Sequence, residues 1–81
     1  MRERILDLDL KGAIEAFQGI KWKFFSEVEE AKTVRVEVPR GSDEVYVVEL
    51  TIQGESERKK VVDELLGAGF VRQSKRMTAE W

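Results

Sequence analysis

The chain has 81 residues, 42% of them hydrophobic and 37% charged, with a net charge of −2. That is enough apolar material for one small core, without the basic excess of a protein dominated by nucleic-acid binding. Cys and His are both absent, which excludes disulfides, thiolate nucleophiles, cysteine metal sites and imidazole as a base or zinc ligand.

Taken in chain order, Ile5 to Leu10 alternates. Leu6, Leu8 and Leu10 share one side and Asp7 and Asp9 the other, which predicts a half-buried strand. Gly12 breaks it. From there Ala13, Phe17, Ile20, Phe24, Val28 and Ala31 recur at steps of three or four residues. The spacing predicts a continuous helix from Ala13 to Ala31, flanked by Ile14 and Phe25. A rival pattern overlaps it, because Ile20, Trp22 and Phe24 alternate with Lys21 and Lys23. In that reading Gly19 ends a short helix and an extra strand follows. The length of the stripe and the helix formers from Ser26 to Lys32 favour the helix.

Thr33 to Val38 alternates again, with Arg35 and Glu37 on its polar side, and Pro39 ends the strand or marks an edge. Arg40, Gly41, Ser42 and Asp43 supply turn chemistry. Val45 to Ile52 predicts the next strand, with Tyr46, Val48, Leu50 and Ile52 on one side and Val45, Val47, Glu49 and Thr51 on the other. The two strands form a hairpin. Ser56 is the expected N-cap of a second helix that buries Val61, Val62, Leu65 and Leu66, and Gly67 or Gly69 provides its left-handed stop. A charge-crowded edge strand runs from Phe70 to about Met77.

The order strand–helix–strand–strand–helix–strand predicts one domain over residues 1–81. It is a ferredoxin-like βαββαβ sandwich: a four-stranded antiparallel sheet with both helices on one face. The first strand lies inside the sheet, in the spatial order fourth, first, third, second. The bare face then carries Asp7, Asp9, Arg35, Glu37, Val45, Val47, Glu49 and Thr51. Cross-strand ion pairs account for most of it. Val45 and Val47 are expected to be exposed there as a small patch that a second copy would bury. Trp22, opposite the helical stripe, is a candidate protein anchor. Val45, Val47, Trp22, Arg35 and Glu49 are therefore the candidate partner-binding residues.

Asp7, Asp9 and Glu49 are the carboxylates that could converge on a hard cation, but the expected nearness of Arg35 and Arg72 favours ion pairing. Residues 27–57 carry nine acids and three bases, while residues 58–81 carry six bases and three acids. Arg58, Lys59, Lys60, Arg72, Lys75 and Arg76 are the candidate nucleic-acid contacts. An RNA-recognition platform would need aromatics on the bare side of the first and third strands, and none is expected there. With no His, the Ser and Thr hydroxyls lack an obvious activating base, so neither catalysis nor a cofactor is expected. Few thermolabile residues and many Glu, Lys and Arg fit a thermophile. They also fit a designed chain, although Gly19 and the Arg72–Trp81 tail are not idealised choices. No apolar run approaches the ~20 residues of a membrane span, and Asp7 and Asp9 interrupt any signal-like core, so a soluble cytoplasmic protein is expected.

Val45 to Phe70 resembles the second half of ACT-type and related small regulatory domains. The shared features are an alternating strand ending at Gly54, then Val61, Val62, Leu65 and Leu66, then Ala68-Gly69-Phe70 entering a strand. The resemblance covers roughly a third of the chain. It implies a small ligand, often an amino acid, bound at the loop after the first strand and at a subunit interface. That loop would be Lys11-Gly12-Ala13, which lacks a ligand signature. The first expectation is a non-catalytic interaction or regulatory module acting as a homodimer through its open sheet face. The alternatives are an ACT-like ligand-binding domain and a nucleic-acid binder using the basic C-terminal half.

Overall fold

A computed structural model describes residues 2–73. The element order is β1 (Arg2–Ile5), α1 (Leu10–Ala16), β2 (Phe24–Val28), β3 (Thr33–Arg40), β4 (Glu44–Thr51), α2 (Glu55–Gly67) and β5 (Val71–Arg72). The fold is α+β, but the sheet has five strands and is mixed, in the order β1-β4-β3-β2-β5. Strands β2, β3 and β4 form an antiparallel meander. Strand β1 pairs parallel to β4, and β5 pairs parallel to β2.

The difference from the expected four-stranded antiparallel layout comes from residues 17–28. The continuous helix from Ala13 to Ala31 does not form. Asp9 caps α1, its Oδ1 accepting a hydrogen bond from the Gly12 amide at 2.8 Å. The helix ends at the cap residue Phe17, and Gly19 follows at φ +85°. That left-handed conformation cannot continue a right-handed helix and suits glycine. The extra strand of the rival pattern exists, but four residues after it begins. Its inward residue is Phe25, fully buried, while Ile20 and Trp22 are exposed. The inserted strand also changes direction parity. With one more strand before it, β4 runs parallel to β1 where a four-stranded arrangement would oppose them. β1 accordingly lies at an edge, not inside the sheet.

The expected first strand is shifted as well. β1 stops at Ile5 and covers Arg2–Ile5, while Leu6, Leu8 and Leu10 pack against the core from the connection and the start of α1. The hairpin holds, with Val34, Val36 and Val38 paired to Leu50, Val48 and Tyr46. Pro39 does not end β3, which continues to Arg40. α2 begins after Gly54 rather than at a Ser56 cap. Instead, the Glu57 carboxylate accepts from the Gln53 amide at 2.7 Å. The helix ends in a Schellman turn: Phe70 N–H donates to the Leu65 carbonyl at 3.0 Å and Gly69 N–H to Leu66 at 3.1 Å. Gly69 takes φ +93°, the position this motif reserves for glycine.

One core cluster joins Ala13 and Phe17 of α1, Val61, Val62 and Leu65 of α2, and the inward residues of β2, β3 and β4. Both helices therefore cover one face of the sheet, and the other face is open. Burying a side chain such as Phe25 or Leu65 completely contributes about 1.5–3 kcal/mol each. Lys23 is the one charged residue buried among the described residues. Its Nζ donates to the Phe17 carbonyl at 3.2 Å and lies 5.2 Å from the Phe70 ring centre. It thus places a cation at the C-terminal end of α1, beside the turn that ends α2, where helix dipoles favour positive charge. Among the described residues no helix is long and apolar enough to cross a membrane.

Candidate interaction surface

The ladder registers build the open face residue by residue. Ile5, Val47, Glu37, Phe24 and Val71 are successive partners across all five strands. Glu3, Val45 and Pro39 form a second row, and Glu49, Arg35 and Ser26 a third.

Its centre is charged and closed. Arg35 contacts Glu3 at 2.6 Å, Glu37 at 2.7 Å and Glu49 at 3.3 Å. Those three carboxylates occupy register positions around Val47, so the guanidinium that meets all three lies over that valine. Val47 is fully buried and Val45 is 9% exposed. The expected exposed valine patch is therefore absent: Arg35 roofs it, with Ile5 beside it. The hydrogen bond to Glu37 holds the Arg35 guanidinium more firmly protonated than that of a free arginine. Partial burial works against this, and the charges of Glu3, Glu37 and Glu49 add to it. Three carboxylates around one guanidinium leave a local acidic surplus.

The β2–β5 end of the same face is apolar and exposed. Trp22 is 61% exposed and stacks on Phe24, with ring centres 6.5 Å apart and planes at 17°. Val71, beside Phe24, is 52% exposed. Ile20, Trp22, Phe24 and Pro39 line one shallow depression. Trp22 is exposed, but from the segment just before β2 and not from the expected helix. Phe24, Val71 and Ile20 were missed as surface residues because the helical stripe assigned Ile20 and Phe24 to the core. The signal that could have found them is the Ile20-Trp22-Phe24 alternation itself, taken as the outward side of an edge-proximal strand. The open-face positions of β1 and β4 carry no aromatic residue; the aromatic pair comes from β2 and the segment before it.

The remaining candidates separate. Asp7 and Asp9 lie beyond β1, Asp9 is the α1 cap and Glu49 is paired with Arg35, so the three do not converge. Arg58 and Arg72 do come together, on the carboxylate of Glu27. Arg72 lies 2.9 Å from it, and Arg58 bridges Glu27 and Glu55. The bond to Glu55, against a smaller loss of solvation, holds the Arg58 guanidinium more firmly protonated, and Glu27 adds to this. Lys59 and Lys60 are exposed on α2, while Lys75 and Arg76 lie outside the described residues. Lys11, Gly12 and Ala13, the loop implied by the ACT-type resemblance, lie in the first turn of α1 and do not form a loop.

No family model, no curated protein and no solved structure matches the chain.

Proposed function

We propose that the protein is a non-catalytic interaction module that pairs with a second copy of itself through the β2–β5 end of its open sheet face. The observation that carries this reading is the exposed Trp22 stacked on the half-buried Phe24 and flanked by exposed Ile20, Pro39 and Val71. Exposed Trp is among the side chains that dominate interface energetics, and Trp22 stands just before β2 with its ring on Phe24 of that strand. The molecule measures 36 × 35 × 20 Å, the thickness of one helix layer on one sheet. A second copy completes a four-layer sandwich with the sheets about 10 Å apart. A two-fold axis near Phe24 sets the patch against itself, as a closed isologous dimer requires.

Charge favours a protein over a nucleic acid at this surface. The stack could hold bases, but Glu37 sits directly beside Phe24 and the Arg35 cluster is acidic on balance. Among the described residues Lys21, 5.7 Å from the Trp22 ring centre, is the one cation over the stack, and Arg58 and Arg72 are engaged with Glu27 on the helix side.

Solution mass between about 1 µM and 1 mM tests the reading. The wild-type chain is expected to move from monomer to dimer, and Trp22→Glu to remain monomeric with unchanged circular dichroism. A wild-type chain that stays monomeric throughout, or a Trp22→Glu chain that dimerises equally, overturns it.

A further inference from the structure

The edge of β4 is only half covered. β1 pairs with Glu44–Val47 and ends. Its bonds show which way β4 points: Arg2 N–H donates to the Asp43 carbonyl and Leu6 N–H to the Val47 carbonyl. Odd-numbered residues of β4 thus direct their N–H and C=O toward β1, and even-numbered ones toward β3. Ile52 N–H, donating to Lys32 on the β3 side, keeps the same parity. Beyond Leu6 the chain leaves the sheet, and among the described residues no partner meets the N–H and C=O of Glu49 and Thr51 on that edge. These are two donor–acceptor pairs at strand spacing, and an uncovered row of this kind is a template for another strand.

A groove of ≈ 500 Å³ runs along this edge; Leu8, Leu10, Leu50 and Val61 line its apolar part, and the charged Asp9, Lys11, Glu57, Lys60 and Glu64 form its walls. From these two features we infer that the Glu49–Thr51 edge accepts an extended segment of a partner protein, by strand addition, in line with β1. Side chains of an added strand alternate between faces. One residue enters the leucine-lined groove opposite Leu50. Its neighbours lie on the open face, one beside Glu49, at the rim of the cluster where three carboxylates share one guanidinium, and one beside Thr51. Charge complementarity at Glu49 selects Lys or Arg. The occupant is an apolar residue next to a basic one, held by main-chain bonds that fix register and by the groove that reads the central side chain. This surface is separate from the Trp22 patch and does not rest on self-association.

Amide exchange on the full 15N-labelled chain tests the inference. In the free chain Glu49 and Thr51 amides exchange fast, while those of Val48 and Leu50, directed to β3, exchange slowly. Acetyl-Lys-Val-Lys-Val-Lys-amide at about 1 mM slows Glu49 and Thr51 at least ~10-fold. N-methylation of the peptide residues facing β4 removes the effect, and Glu49→Lys shifts the preference to the corresponding Glu-Val peptide. Trp22→Glu leaves the response intact, which separates it from dimer formation. The inference is overturned if Glu49 and Thr51 are as protected as Val48 in the free chain. It is equally overturned if neither peptide changes their exchange, or if N-methylation has no effect.

Discussion

Replacing Arg35 probes the feature that divides the open face. Its guanidinium meets three carboxylates at 2.6, 2.7 and 3.3 Å, and its side chain is 23% exposed. Partly screened pairs of this kind contribute about 0.2–1 kcal/mol each, more when they form a network. Arg35→Met keeps much of the stem over Val47 and removes the charge, so it should cost about 2 kcal/mol from three lost pairs and the repulsion left among Glu3, Glu37 and Glu49. Arg35→Ala also uncovers Val47, and roughly 40 Å² of newly wetted apolar surface at ~25 cal/mol per Å² adds about 1 kcal/mol. Urea unfolding followed by circular dichroism at low micromolar concentration reads both. Thermal midpoints should fall by about 10 °C for Met and further for Ala. Because the guanidinium holds its proton more tightly folded than unfolded, its contribution is full below the unfolded pKa and is lost only as pH rises through the folded one. Titration of Arg35 itself therefore leaves the Met–wild-type difference flat from about pH 7 to 10. Two variants within about 0.5 kcal/mol of wild type would refute the argument that Arg35 closes the centre of the face.

Three further substitutions have defined outcomes. Asp9→Ala removes the side-chain cap on the Gly12 amide and should lower stability by about 1 kcal/mol in chemical denaturation. Lys23→Ala should cost about 2–3 kcal/mol through a lost buried stem and hydrogen bond, whereas Lys23→Met, which refills the space without a charge, should cost less than about 1.5 kcal/mol. Equal losses for the two would show that the ammonium, not the packing, matters. Lys59→Ala with Lys60→Ala should leave oligonucleotide retention at low salt unchanged, measured by fluorescence anisotropy, and a loss of salt-sensitive binding would reassign the exposed face of α2.

What the sequence made legible follows from where polarity and burial agree. β3 and β4 alternate with valines inward, and period alone gives their pairing. α2 buries Val61, Val62 and Leu65 on one stripe, while Leu66, expected with them, is 47% exposed; its stop, in the turn at Gly69, was readable. Residues 17–28 were not, because there the correlation reverses: Lys23 faces in while Trp22 faces out. A buried lysine is uncommon, and its partners, a backbone carbonyl and a phenyl ring, leave no charge pattern in the sequence. Phe17, Ile20 and Phe24 then complete a false helical stripe that only the left-handed Gly19 interrupts. The same error hid the aromatic pair. The roof over Val47 was out of reach for another reason. Arg35 and Glu37 were visible as outward residues, but covering a valine three carboxylates deep depends on β1 lying next to β4, a pairing the strand order had to supply.

The proposed contact surface of the self-pairing module is the Trp22–Phe24 end of the open face. Trp22 fluorescence tests it most directly, in a Trp81→Phe background so that one indole reports. On concentration from about 1 µM to 1 mM the emission should shift from the red of a wet indole to the blue of a buried one, in step with the doubling of mass. Red emission unchanged over the whole range would contradict the claim.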